Sequence, residues 1–323
     1  MQQILLKSGT FALLFGVLAL AFNGLEQSNP PALHLDSTSN RANLTPVALQ
    51  KTEGSAAKPE EPAVQTEASV AKAGDWRPLF NGKDLTGWTP KIRFSALGED
   101  PLKTFRVEDG MLCVNYDQYE DKFKARFGHL FYKTPFSSYD LRVEYRFVGK
   151  QTSDGAGWAK YNSGLMLHGQ DPATMTRDQT FPASIEVQLK SCEPNGEGTP
   201  TLRCCTPGTN VVRDGELFTP HCFDSTGPKV PVGEWTTVVI EVRGNEVIRH
   251  KVGDDVVLEY HQPQLDNRIK EVMNGLKVSE DVAKSWYKDK TQPEDYLLSG
   301  GTISLQSESH PVQFRRVEIR EIE

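Results

Sequence analysis

The chain has 323 residues and a formal net charge of −7, with a pI of about 5.6. An acidic chain without clustered Lys and Arg excludes a nucleic-acid footprint and a polybasic membrane patch, and suits a neutral partner such as a sugar. A hydrophobic content of 37% is low for one compact domain of this length, so part of the chain is expected to lie outside the fold.

In chain order, residues 1–24 read as an export signal. Lys7 supplies the positive charge, and Phe11 to Phe22 supply a 12-residue apolar core. A spanning helix needs roughly 20 apolar residues, so the run is short for one. No clean small-residue cleavage site follows. A secreted or periplasmic protein is therefore expected, with membrane tethering by an uncleaved signal left open. Residues 25–75 are rich in Ala, Pro, Thr, Ser, Glu and Gln and hold no aromatic residue. Such a segment buries too little apolar surface to offset its ordering entropy, and it reads as a disordered linker.

Composition changes at Trp76, and residues 76–323 read as one domain. Short runs rich in Val, Ile, Tyr, Phe and Thr follow one another: TFRVEDGMLCVNY, YDLRVEYRFVG, NSGLMLHG, ASIEVQLK, EWTTVVIEVRGNEVIRHKVG, DDVVLEYH, GTISLQSE and VQFRRVEIREI. These are strand compositions, and Asp109-Gly110, Gly244-Asn245 and Gly253-Asp254 are turn signals. Helical periodicity is scarce, with one polar insertion at 265–290 that is helical or irregular. Many strands and few helices predict an all-β sandwich or barrel.

Strand alternation tells which side chains share a face. Ile185, Val187 and Leu189 point one way, with Ser184, Glu186 and Gln188 opposite. Ile303 and Leu305 oppose Thr302, Ser304, Gln306 and Glu308. Ser163, Leu165 and Leu167 oppose Asn162, Gly164, Met166 and His168. These polar faces carry amides, carboxylates and a His, with almost no Lys. Amides and carboxylates offer the paired donors and acceptors that read sugar hydroxyls. The plainer alternative is the solvated face of a half-exposed antiparallel sheet.

Five cysteines occur: Cys113, Cys192, Cys204, Cys205 and Cys222. Export to an oxidising compartment predicts at least one disulfide among the last four, with Cys113 reduced in a strand. Cys204-Cys205 and His221-Cys222 lack the spacing of a closed zinc site.

FNGKDLTGW (Phe80 to Trp88), FRVEDGMLCV, NSGLMLHG, SIEVQLK, GEWTTVVIEVRGN and ISLQSESHPVQFRRVEI follow in one order across 76–323. That ordered set resembles the 3-keto-disaccharide hydrolase domain family (3-keto-glucoside 1,2-lyase or 3-keto-2-hydroxy-glucal hydratase), formerly a domain of unknown function. Cys205 to Val211, with Phe181-Pro182, resembles a subgroup with a longer loop. The resemblance implies a concanavalin-like jelly-roll sandwich of two antiparallel sheets. It also implies a substrate, a glycoside whose C3 hydroxyl a separate sugar 3-oxidoreductase has already oxidised. A C3 ketone acidifies the C2 proton. A general base removes it, the C1 substituent leaves, and water can add back for net hydrolysis.

On that reading the candidate bases are Glu186, His168 and Glu308. Asn162, Gln188, Gln306 and His310 would bind hydroxyls or the enolate oxygen, and Tyr161 and Trp158 would stack on a sugar ring. No cofactor is fixed; a divalent metal on Glu186 stays open. Two other readings stand beside this one. A non-catalytic carbohydrate-binding module would show the same polar face. A two-carboxylate glycosidase would use an acidic pair, but the E-x-D-x-x-E run of laminarinase-type sandwiches lacks its middle Asp here.

Overall fold

The computed structural model describes residues 74–322. The expected export signal (1–24), and all of the expected linker (25–75) but its last two residues, lie outside the described residues. Among the described residues, no helix is long and apolar enough to cross a membrane.

Two antiparallel sheets make a jelly-roll sandwich of the concanavalin-like kind. The smaller sheet has seven strands. Their order is β12 (Cys222–Asp224), β9 (Leu202–Cys205), β8 (Ile185–Lys190), β7 (Asn162–Gly169), β16 (Thr302–Ser307), β5 (Gly128–Tyr132) and β2 (Trp88–Ile92). The larger sheet runs β11 (Glu216–Phe218), β10 (Thr209–Arg213), β15 (Asp255–Leu265), β14 (Val247–Val252), β13 (Thr236–Arg243), β6 (Ser138–Phe147), β17 (Val312–Glu321), β4 (Met111–Val114) and β3 (Phe105–Glu108). β1 (Arg77–Pro78) also pairs with β17.

The turn signals do what they promise. β3 and β4 close over Asp109-Gly110, with φ of 49° and 75°. Positive φ at both positions is the two-residue turn whose twist matches the strands, and glycine adopts it freely. Gly253-Asp254 joins β14 to β15 with Val252 opposite Asp255. The polar insertion carries two short helices, α1 (Ile269–Leu276) and α2 (Glu280–Ser285). Their apolar side chains Val272, Leu276 and Ala283 form a small satellite core with Ala183, and Phe181 packs against it.

The main core lies between the sheets. Leu165, Leu167, Ile185, Val187, Leu189, Ile303 and Leu305 of the smaller sheet meet Leu141, Val143, Val238, Ile240, Phe314 and Ile319 of the larger. Each such buried side chain contributes on the order of 1.5–3 kcal/mol. Trp88 is buried in this core, and its Nε1 donates to Leu79 O at 2.9 Å.

The outer faces of the two sheets differ. That of the larger sheet is an ordinary solvated one, laced by Arg142–Glu318, Arg249–Glu259, Lys251–Glu241 and Arg315–Glu144 pairs. The outer face of the smaller sheet is buried: Glu186, Gln306, Ser304 and Asn162 are each under 5% exposed. The plain solvated-face alternative therefore fails for β7, β8 and β16.

The predicted alternation breaks at one candidate. β7 carries one residue more than β16 between the Gly169–Thr302 and Met166–Ser304 pairs. His168 takes up the bulge with φ of 48°, and a bulge residue leaves the strict two-residue period. Its Nε2 meets Gly244 O at 2.9 Å, in the turn between β13 and β14 of the other sheet. The expectation that His168 shares a face with Asn162 and Gly164 is corrected accordingly.

Candidate active site

The floor of the site is the outer face of the smaller sheet. Residues opposite one another on adjacent antiparallel strands project to the same side. Glu186 lies opposite Met166 and Cys205, Gln188 opposite Gly164 and Arg203, and Lys190 opposite Asn162. Gln306 lies opposite His129, which lies opposite Lys91. Glu308 follows two residues after Gln306 along the chain, in step with the same face.

Gly164 opens the middle of this floor. A Cβ built there would stand 2.6 Å from Glu186 Oε1 and 3.1 Å from Gln306 Oε1. Only a residue without a side chain lets Glu186 lean across β7 toward Gln306.

The floor is rich in buried polar atoms without partners. Glu186 Oε1, Glu308 Oε2, Asn162 Oδ1, His129 Nε2, Ser304 Oγ and both amide atoms of Gln306 make no hydrogen bond. Buried polar groups in native proteins are nearly always satisfied, so a cluster of exceptions makes this floor the candidate site. Other floor groups are held. Gln188 Oε1 accepts from Arg203 Nη1 at 2.9 Å, and Arg203 also grips Asp224. Lys91 Nζ donates to Ser95 O and Arg177 O.

Charge and burial set the ionisation. Burial pushes the Glu186 carboxyl up to about 8, against the pull of Gln306, Lys190 and Arg203. Burial, reinforced by the Glu186 charge, pushes Glu308 well above the carboxylate range. Burial brings Lys190 down to about 8, although Glu308 and Glu186 favour its charge. His129 is driven to about 3 by burial and by Lys91, so it is neutral at working pH. Desolvation is the leading cause in every case. The Glu186 charge thus raises its neighbour Glu308, and two carboxyls whose environments push their protonation apart can serve as base and acid.

The walls supply the aromatics. Trp158 is 56% exposed and stacks on Phe127, with centroids 6.1 Å apart and planes 4° from parallel. Phe181 packs on Phe127 and His129. A cleft of about 450 Å³ opens between Trp158, Tyr161, Lys190, Glu193 and Arg203. It is large enough for a sugar ring.

The other sequence candidates fare differently. Tyr161 is no bare platform: Lys160 Nζ sits 4.8 Å from its ring centroid and its hydroxyl donates to Glu193. His310 leaves the floor because Ser309 turns the chain with φ of 85°. It packs against the rings of Tyr161, at 4.7 Å, and Phe147, at 5.8 Å. His168, against Gly244, is remote from this face. Sequence reasoning missed Lys190, Arg203, His129 and Lys91. Lys190 was within reach, because alternation from Glu186 and Gln188 leads directly to it, and the claim of a face almost free of Lys is corrected.

At the sheet edge, Cys205 and Cys222 lie opposite each other and form a disulfide, while Cys113, Cys192 and Cys204 are free and buried. His221 brings a third metal-binding type of side chain within 4.8 Å of both sulfurs. The disulfide ties up the two thiols, which agrees with the reading of these cysteines as a staple.

Residues 75–320 match the family model of the 3-keto-alpha-glucoside-1,2-lyase-like domain. No curated protein matches the chain. Among solved structures, a proposed glycosyl hydrolase from Parabacteroides distasonis is 21% identical, over 76% of this chain and 99% of its own, with a TM-score of 0.43. A Bacillus subtilis protein of unknown function with a galectin-like fold is 9% identical, over 77% and 96%, at 0.44. The laminarinase from Rhodothermus marinus is 8% identical, over 78% and 98%, at 0.42. Such distant likenesses add nothing to the family match, which spans nearly all of the described residues. The chain belongs to the 3-keto-alpha-glucoside-1,2-lyase-like domain family, a carbohydrate-active family.

Proposed function

We propose that this protein cleaves 3-keto-glycosides by removing the C2 proton and eliminating the C1 substituent, with water adding back where hydrolysis is the outcome. The observation that carries the reading is Glu186: a buried carboxyl raised to about 8, with Oε1 unpartnered and aimed across Gly164. A base is most effective when its pKa lies near the working pH. Glu308, raised further by the Glu186 charge, would hold a proton and hand it to the leaving oxygen. Gln306 and Asn162 offer the donors and acceptors for the ring hydroxyls. Trp158 offers an open aromatic face to the ring beside the scissile bond. A sugar 3-oxidoreductase would supply the substrate, and the protein would work outside the cytoplasm, released or held by its signal.

The paired carboxyls also favour a second reading, the two-carboxylate glycosidase. Incubation with a 3-keto-glucoside beside the unoxidised glucoside separates the two. Aglycone release from the keto-sugar alone is expected. Release from the unoxidised sugar at a comparable rate would favour the glycosidase, and binding without turnover of either would leave a carbohydrate-binding module.

A further inference from the structure

We infer that Lys190 is the catalytic cation of this site: its ammonium meets the oxygen on C3 of the substrate and holds the charge that develops there as the C2 proton leaves. The inference rests on the elimination reading above.

Lys190 closes β8 on the same face as Glu186 and Gln188, opposite Asn162. It is 8% exposed, and it lines the cleft beside Trp158 and Arg203. Its Nζ donates to two backbone carbonyls, Trp158 O at 3.2 Å and Lys160 O at 3.0 Å. An ammonium carries three donors, so one N–H remains. Glu308 and Glu186 act on it through space, and it forms a hydrogen bond to neither. A buried cation with no direct counter-ion is costly to keep. It repays that cost where an anion forms only during the reaction, since such an interaction lowers the barrier without tightening the ground state.

Elimination among the neighbours leaves the same residue. Arg203 is engaged by Gln188 and Asp224. Lys91 is capped by backbone carbonyls. Lys160 is paired with Glu193, and His129 is neutral.

The step balances. Glu186 takes the C2 proton, the C2–H electron pair forms C2=C3, and the C3 carbonyl becomes an oxyanion held by Lys190. The oxyanion collapses back to C3=O, C1=C2 forms, and the C1–O bond breaks. A proton from the Glu186–Glu308 pair goes to the leaving oxygen. No oxidant or reductant is needed.

The test uses the full chain and a 3-keto-glucoside, reading aglycone release and C2 hydrogen exchange in D₂O. Lys190→Met is expected to fold, to lower kcat at least ~10²-fold with KM changed less than about threefold, and to slow C2 exchange in parallel. Lys190→Arg keeps the charge to higher pH, so it should recover part of the rate and move the alkaline limb of the pH profile upward. Borohydride added during turnover should leave no substrate adduct on the protein. An active parent with Lys190→Met within threefold of it would overturn the inference. So would a borohydride-trapped adduct on Lys190, which would make the lysine a covalent iminium former. Should Lys190→Met fail to fold, an alkaline limb unmoved in Lys190→Arg overturns it equally. A parent protein without turnover sinks the elimination reading itself, before any variant is compared.

Discussion

Glu186 is a buried carboxyl raised to about 8. Replacing it by Gln keeps shape and hydrogen-bond reach and removes the charge. The expected loss on a 3-keto-glucoside is ~10²–10⁴ in rate with the fold intact, measured as aglycone release. Glu308→Gln should cost less if Glu308 only holds hydroxyls, and a comparable amount if it donates the proton. The same carboxyl predicts a pH dependence of stability. Folding raises the Glu186 pKa from 4.5 to about 8. Between those values the folded protein binds more protons than the unfolded chain, so stability falls as pH rises, by up to about 1.4 kcal/mol per unit. Lys190 acts in the opposite sense: its pKa drops from 10.5 to about 8, so its contribution to stability grows from pH 8 upward. Denaturant melts at pH 5 to 8 should show a shallower decline for Glu186→Gln than for the parent; equal slopes would remove Glu186 as the cause. Gly164→Ala would place a methyl 2.6 Å from Glu186 Oε1. It should displace the carboxylate and lower activity at least about tenfold, at about 1–3 kcal/mol in stability.

Elements carry the site because alternation is strict within a strand and pairing is strict between strands. Ile185, Val187 and Leu189 go to the core, and that alone turns Glu186, Gln188 and Lys190 to the opposite face. Those three assignments needed only the pleat. The exceptions sit where pairing, and not the strand itself, sets direction: the bulge at His168 and the turn at Ser309. Nothing in NSGLMLHG announces that β7 carries one residue more than β16. The β9–β12 edge supports the floor, since Cys205 lies opposite Glu186 and is tied to Cys222 across a separation of 17 residues. Cys222→Ser should destabilise the protein by about 2–4 kcal/mol, because the unfolded chain regains the entropy of the opened loop. Thermal melts with and without reductant check this. A non-reduced digest should show Cys205 linked to Cys222; finding it free would contradict the assignment.

At the scale of the molecule, one outer face of the sandwich meets water and the other is buried. The chain is anchored from its first described residues. Gly74 N donates to Glu321 O at 3.1 Å, and Trp76 lies under Arg142 and Arg320. A protein beginning at residue 74 is therefore expected to melt within about 2 °C of the full chain and to keep its activity. A large drop in melting temperature would show that residues before 74 belong to the domain. Trp88 is buried in the core and bonded to Leu79, and Trp88→Ala should cost about 3–5 kcal/mol of stability.

The sequence by itself determined an all-β sandwich or barrel, its hairpin turns, and the face on which Glu186, Gln188 and Gln306 stand. Those features follow from local rules: a two-residue period and turn residues with positive φ. Tertiary structure alone decided that Lys190 and Arg203 act on Glu186 and Glu186 on Glu308, that His129 lies opposite Gln306, and that His168 turns to Gly244 of the other sheet. Each of those depends on which strands lie side by side and on how much water is shut out. Burial raises a carboxyl and lowers a lysine only once other strands and loops have covered them, and no window of sequence contains that cover.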